Sequence, residues 1–215
     1  MPDGGRDERR RNLGHRNPAA ALMLRRQRRR GETPAVVTAV RAVGAAKGPD
    51  DARYARAMTE NLPPRSRIVH DALRAAGVAG EIITLPDAAS TAALAAAALG
   101  VEVGAIANSL VFWSDGAPLL VMTSGAHRVD TAALAARLGR ASIVRATPEQ
   151  VREATGQAIG GVAPTGHPTP LPTVVDEALA GFDEIWAAGG TPHTVFPLTF
   201  DELVRLTGGT VTAVD

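Results

Sequence analysis

Gly104-Ala105-Ile106-Ala107-Asn108-Ser109-Leu110-Val111-Phe112-Trp113 is a long apolar run, followed by Ser114-Asp115-Gly116 and then by Pro118-Leu119-Leu120-Val121-Met122-Thr123. Two apolar stretches around Asp-Gly predict a β-hairpin, because that dipeptide accepts the positive φ of a tight turn between right-twisted strands. Asn108 and Ser109 lie within its first strand. Alternation sends their side chains to opposite faces, so at most one of them faces a given pocket.

Upstream, Ile68, Val69, Leu73 and Ala76 are spaced for one face of a helix that begins near Pro63 and stops at Gly77. Glu81 to Leu85 predicts a short strand, and Ser90 is placed to cap an Ala-rich helix through Leu99, ended by Gly100. Downstream, helices are expected over Asp130 to Leu138, Thr147 to Thr155 and Thr199 to Leu206. Strands are expected over Ala141 to Arg145, Thr173 to Val175, Glu184 to Ala188, Thr194 to Leu198 and Thr210 to Val214. Short strands interleaved with helices indicate one α/β (mixed α+β) domain, not a repeat protein.

The 215 residues, 45% of them hydrophobic, suffice for one good core with a tail. Residues 1–60 carry 14 Lys+Arg against 7 Asp+Glu, and residues 61–215 carry 9 against 15. The formal net charge of +1 thus hides two electrically opposite parts. Residues 1–57 read as a disordered basic tail or an upstream extension, with Met58 a plausible start, and residues 58–215 as the folded domain. The Arg25 to Arg30 cluster suits either RNA phosphates or plain solvation. Cysteine is absent, which removes a disulfide framework, a thiolate nucleophile and a Cys-based zinc site. The apolar run from Pro18 to Leu24 is too short to span a bilayer, so a cytoplasmic protein without a membrane partner is expected.

Gly160-Gly161-Val162-Ala163-Pro164-Thr165-Gly166-His167 is the second informative stretch. Its glycines allow positive φ and close backbone approach, so several amide N–H groups can aim at one developing oxyanion. An ordinary turn is the alternative. The stretch lacks the Gly-Lys-Ser/Thr ending of a nucleotide phosphate loop, which disfavours an ATP-dependent reaction. No His-x-Glu or Glu-x-x-His pattern occurs, and His70 and His193 lack ligand spacing, so neither a metal nor another cofactor is expected.

Together, the Ile106-Ala-Asn-Ser-Leu-Val-Phe112 segment and the Gly160 to His167 loop resemble the YbaK/EbsC family of aminoacyl-tRNA deacylases. These are relatives of the editing domain inserted in bacterial prolyl-tRNA synthetases, and the resemblance covers roughly Pro63 to Asp215. It implies a mixed, curved, largely antiparallel sheet surrounded by helices. It also implies a trans-editing hydrolase that cleaves small aminoacyl groups from tRNA, for proline above all. The implied partners are the aminoacyl-tRNA acceptor end and a prolyl-tRNA synthetase.

In that family the first segment reads Ile-Ala-Lys-Ser-Leu-Val-Phe, whereas this chain has Asn108 at the lysine position and its only lysine is Lys47. Asparagine keeps a hydrogen-bond donor and gives up the charge. The resemblance assigns Asn108, Gly161, Gly166 and His167 to catalysis, and Ser109, Gly125, Arg128, Pro164 and Asp176 to substrate binding. Four of them have a plainer alternative of their own: Asn108 a strand residue satisfied by backbone partners, His167 a turn residue, Arg128 an ion pair with Asp130, Asp176 a helix N-cap. A non-catalytic binding module that lost the lysine is the second functional reading. A folded part at −6 cannot draw in a polyanion over a broad surface, so it should grip only the acceptor end.

Overall fold

The computed structural model describes residues 61–215. The expectations for residues 1–57, including the Arg25 to Arg30 cluster, lie outside the described residues. Helix α1 (Pro64–Ala75) opens on proline, whose missing N–H costs nothing in a first turn, and leads to the short strand β1 (Ile83–Thr84). Thr91 caps α2 (Ala92–Leu99) by accepting from Leu94 N, one residue beyond the expected Ser90, and Gly100 ends the helix at φ 71°. A 3₁₀ turn (Val103–Ala105) feeds the hairpin of β2 (Ile106–Ser114) and β3 (Ala117–Ser124). Asp115 and Gly116 turn it at φ 51° and 84°, the paired positive values of a primed two-residue turn.

Asp130 caps α3 (Thr131–Leu138), β4 (Ile143–Arg145) follows, and a Thr147/Gln150 capping box opens α4 (Pro148–Thr155). Past the glycine-rich loop come β5 (Thr173–Asp176), a 3₁₀ turn (Glu177–Gly181), β6 (Ile185–Ala188) and β7 (Thr194–Leu198). A second capping box, Thr199 with Glu202, opens α5 (Phe200–Thr207), and β8 (Thr210–Thr212) ends the described elements. The edge strands β1 and β8 are shorter than their sequence patterns suggest, since each has one neighbour to pair with, β7 and β5 respectively.

The strands form one mixed sheet in the order β1-β7-β6-β2-β3-β5-β8, with β4 also on β2. β2 runs antiparallel to β3 and β4 and parallel to β6, which makes it the strand on which the architecture turns. Period-2 alternation divides its side chains between the two faces. Ala107 and Val111 join Leu120, Met122, Val69, Leu73 and Leu203 in one cluster. On the other face Ile106 packs with Trp186 and Leu99, and Phe112 with Leu134 and Val121.

One expectation for α1 fails: Ile68 is 46% exposed, and the buried residues are Ser66, Val69 and Leu73. Ser66 can be buried because its hydroxyl is hydrogen-bonded to Thr194 Oγ1, at 3.0 Å. Hydropathy alone favours the isoleucine.

Candidate active site

The outer edge of β2 has two partners with a hole between them. Its ladder to β6 ends at Ala107↔Ala187, and its ladder to β4 begins at Phe112↔Arg145. Gly125 N donates to Ile106 O at 2.8 Å, so even-numbered residues of β2 turn their peptide groups towards β3 and odd-numbered ones towards the outer edge. Ala146 N donates to Val111 O at 3.2 Å on that outer edge, in agreement. Ser109 therefore presents its peptide N–H and C=O to the hole.

An open cleft of about 470 Å³ sits there, walled by β2, the residues before α2, the glycine-rich loop and the β6–β7 turn. No side chain lining it is ionisable. Asn108 reaches the cleft partly buried, and its amide has no hydrogen-bond partner among the described residues. Ser109 turns the other way, its hydroxyl donating to Met122 Sδ at 3.3 Å. What β2 offers the cleft is thus the amide of Asn108 and the peptide of Ser109.

Close backbone approach builds the walls. A Cβ on Gly160, which sits at φ 85°, would lie 3.0 Å from Ser90 Cβ, and one on Gly161 would lie 2.5 Å from the carbonyl carbon of Thr191. Gly160 needs glycine for its φ and its crowding; Gly161 needs it for crowding alone. The Thr191–Thr194 turn is braced by hydroxyls, Thr194 Oγ1 lying 2.9 Å from Thr191 Oγ1 and 3.0 Å from Ser66 Oγ. It also holds the segment before α2, because Ala89 N donates to Pro192 O and Leu85 N to His193 O, each at 2.7 Å. Sequence reasoning passed over Thr191 and Thr194. Their signal was a second Gly/Thr/Pro cluster, Gly189 to Thr194, between two strands.

The other predicted site residues disperse. Pro164, Gly166 and His167 line a second open cleft together with Leu171 and Leu206. Gly166 holds φ 77° with a would-be Cβ 3.1 Å from Val69 Cγ2. His167 Nε2 lies 2.9 Å from Ala163 O, so that nitrogen carries the proton and donates. Burial is the larger influence and pushes the imidazole below its ordinary value of 6.5, while the bond to Ala163 works in the opposite direction.

Gly125 is a packing glycine, its would-be Cβ 2.7 Å from Ala92 Cβ. Arg128 is exposed, and Asp130 spends Oδ1 on capping α3 through Ala132 N and Ala133 N, both at 3.0 Å. Asp176 is wholly buried: Oδ2 accepts from Ser124 N at 2.9 Å and from Thr123 Oγ1 at 3.3 Å, and Oδ1 caps the 3₁₀ turn through Ala178 N at 3.1 Å. His127 Nδ1 lies 3.0 Å from the same Oδ2, off the line of a hydrogen bond.

A mixed sheet opened beside one strand, with a neutral cleft under a glycine-rich loop, is the architecture to be placed. The aminoacyl-tRNA editing domain profile matches residues 86–206, a span that holds β2, β3 and the whole cleft lining, and the chain belongs to that family. The Bacillus subtilis (strain 168) protein YwhH is 29% identical over 125 residues, 57% of this chain and 78% of YwhH. A proline–tRNA ligase of Nitratidesulfovibrio vulgaris (strain DP4) is 33% identical over 91 residues, which are 42% of this chain and 16% of the ligase. The solved structure of a proposed trans-editing enzyme for prolyl tRNA synthetase is 45% identical with a TM-score of 0.67, covering 72% of this chain and 99% of that one. Among the described residues, no helix is long and apolar enough to cross a membrane.

Proposed function

We propose that this chain is a trans-editing aminoacyl-tRNA deacylase that removes small aminoacyl groups from mischarged tRNA, principally tRNA for proline. A second sieve of this kind is needed because small apolar side chains differ too little in binding energy for a synthetase to separate them in one step. Water attacks the acyl carbon, the bond to the ribose oxygen breaks, the acid keeps the water's hydroxyl and the ribose oxygen takes the remaining proton.

The observation that carries this reading is the unpartnered amide of Asn108 in the cleft, at the position where the family places its lysine. A neutral donor can hold the ester or the ribose, but it cannot supply charge. With no ionisable side chain in the lining, the proton would move through water and the substrate's own ribose hydroxyl. The tie to proline rests on the likeness to the ligase and to the solved trans-editing enzyme. A prolyl-tRNA synthetase is accordingly the proposed partner beside the tRNA acceptor end.

The same neutral lining supports a second reading, a module that binds aminoacyl-tRNA without cleaving it. Deacylation of a panel of mischarged tRNAs separates the two. Turnover of one or more small aminoacyl esters supports the enzyme, whereas binding of a non-hydrolysable aminoacyl-adenosine without turnover supports the module.

A further inference from the structure

The hole in the outer edge of β2 is one residue long. β6 leaves the strand at Ala107 and Ala146 rejoins it at Val111, so the peptide of Ser109 is the one left facing the cleft. In a hydrogen-bonded antiparallel pair, two residues exchange both bonds: the N–H of each meets the C=O of the other. An aminoacyl ester carries the same two groups on one residue, an α-ammonium donor and a carbonyl acceptor.

We infer that Ser109 acts through its backbone as the strand partner of the aminoacyl group, its N–H donating to the ester carbonyl oxygen and its C=O accepting from the α-ammonium. This rests on the deacylase reading and assigns the cleft's recognition of an α-amino acid to one peptide unit. The physical case has three parts. The Ser109 peptide lacks a strand partner on that edge and faces the open cleft, so its N–H and C=O are left for a ligand to meet. Its side chain is already committed on the opposite face, to Met122 Sδ, so it does not compete for the substrate. The donor is held by the β3 ladder on both sides, with Asn108↔Thr123 and Leu110↔Val121 fixing its direction.

During hydrolysis the carbonyl oxygen takes the electron pair of the C=O bond as water adds, and returns it as the bond to the ribose oxygen breaks. A preorganised N–H already aimed at that oxygen strengthens its hydrogen bond as the charge develops. The bond to the ammonium is the same in ground and transition states and so serves selection.

The test uses the full chain, the aminoacyl-tRNA that it cleaves fastest, and the same ester lacking the α-amino group. Replacing Ser109 by its α-hydroxy-acid counterpart turns the peptide N–H into an ester oxygen, and should lower the rate by about 100 to 1,000-fold with the melting temperature nearly unchanged. Ser109→Pro removes the same N–H without breaking a bond to β3, because proline is tolerated where the strand N–H is unpaired, and should behave alike.

Wild type should cleave the ester with the amino group at least about 10-fold faster than the one without it, the effect of one hydrogen bond to a charged group. The α-hydroxy-acid variant should keep that preference, because its residue-109 carbonyl is intact. A folded α-hydroxy-acid variant with wild-type rate, or equal cleavage of the two esters, overturns the inference while leaving the deacylase reading in place.

If wild type cleaves none of the mischarged tRNAs, the deacylase reading falls. A non-hydrolysable aminoacyl-adenosine amide then decides the role of Ser109 by calorimetry. At least about 10-fold weaker binding by the α-hydroxy-acid variant supports it, and equal binding or none overturns it.

Discussion

Ser66 Oγ in α1 lies 3.0 Å from Thr194 Oγ1 in β7, a buried contact between residues 128 apart in the chain. Thr194 passes the chain of hydroxyls on to Thr191 at 2.9 Å, and both threonines line the cleft. Ser66→Ala leaves the Thr194 hydroxyl short of one buried partner. The expected cost is about 1–2 kcal/mol, a fall in melting temperature of about 2–8 °C for a domain of this size. Scanning calorimetry of the two proteins checks it, and an unchanged midpoint would show that the brace contributes nothing.

Asn108→Ala should lower single-turnover deacylation by about 10 to 100-fold, the loss of one neutral hydrogen bond at the reacting ester. Asn108→Lys should add little, because the cleft offers no carboxylate to receive an ammonium. If wild type is inactive and Asn108→Lys acquires turnover, the binding-module reading is the correct one.

Gly161 and Gly166 should separate in their effects. A Cβ on Gly161 would meet backbone atoms of Thr191 and Pro192 at 2.5–2.7 Å, so Gly161→Ala must displace the cleft wall and should reduce turnover at least about 10-fold. Gly166 faces Val69 at positive φ in the second cleft, so Gly166→Ala should cost about 1–3 kcal/mol of stability with turnover largely kept. Paired melting and single-turnover measurements read both outcomes; equal loss of activity in the two variants would place the whole loop in the chemistry.

Asp176→Ala would strand the buried amide of Ser124 and uncap the part-buried amide of Ala178, while the Thr123 hydroxyl would keep only Ser124 O, at 3.2 Å. The expected loss is about 3 kcal/mol or more. Asp176→Asn keeps one acceptor oxygen and should lose less. Urea unfolding midpoints test the order, and a stable Asp176→Ala with impaired turnover would return this residue to the substrate.

His167 should make stability depend on pH in one direction. Its folded value is depressed, chiefly by burial, so the unfolded chain binds the proton more readily. The contribution is fully present above the ordinary value of 6.5 and is lost as pH falls through the lower folded value. Urea midpoints at pH 7.5 and 5.5 should differ more for wild type than for His167→Gln, and parallel losses would assign the pH effect to other groups.

Much of the fold was legible because its signals are local. Asp115-Gly116 announced the hairpin turn, glycines after Leu99 and Leu138 stopped two helices, and Thr147 and Thr199 opened two more. Alternation along β2 also held, separating Asn108 from Ser109 before any neighbour was known. Misread points were those where a distant partner overrules local preference. Ser66 is buried in place of Ile68 because Thr194 satisfies its hydroxyl.

The motif around Asn108 and the Gly160 to His167 loop were enough to indicate an aminoacyl-tRNA editing domain from the chain alone, since short-range residue identity carries a family pattern. The layout of the cleft was not. Strand periodicity tells which face a side chain takes, but which edge of a strand is paired depends on long-range neighbours, here β6 and β4, and they leave Ser109 open between them. Contiguity in the chain likewise placed His167 beside Gly161. In space Gly161 is held against Thr191 while Gly166 packs on Val69, and backbone packing across the chain puts Gly160 and Val162 at one cleft and His167 at another.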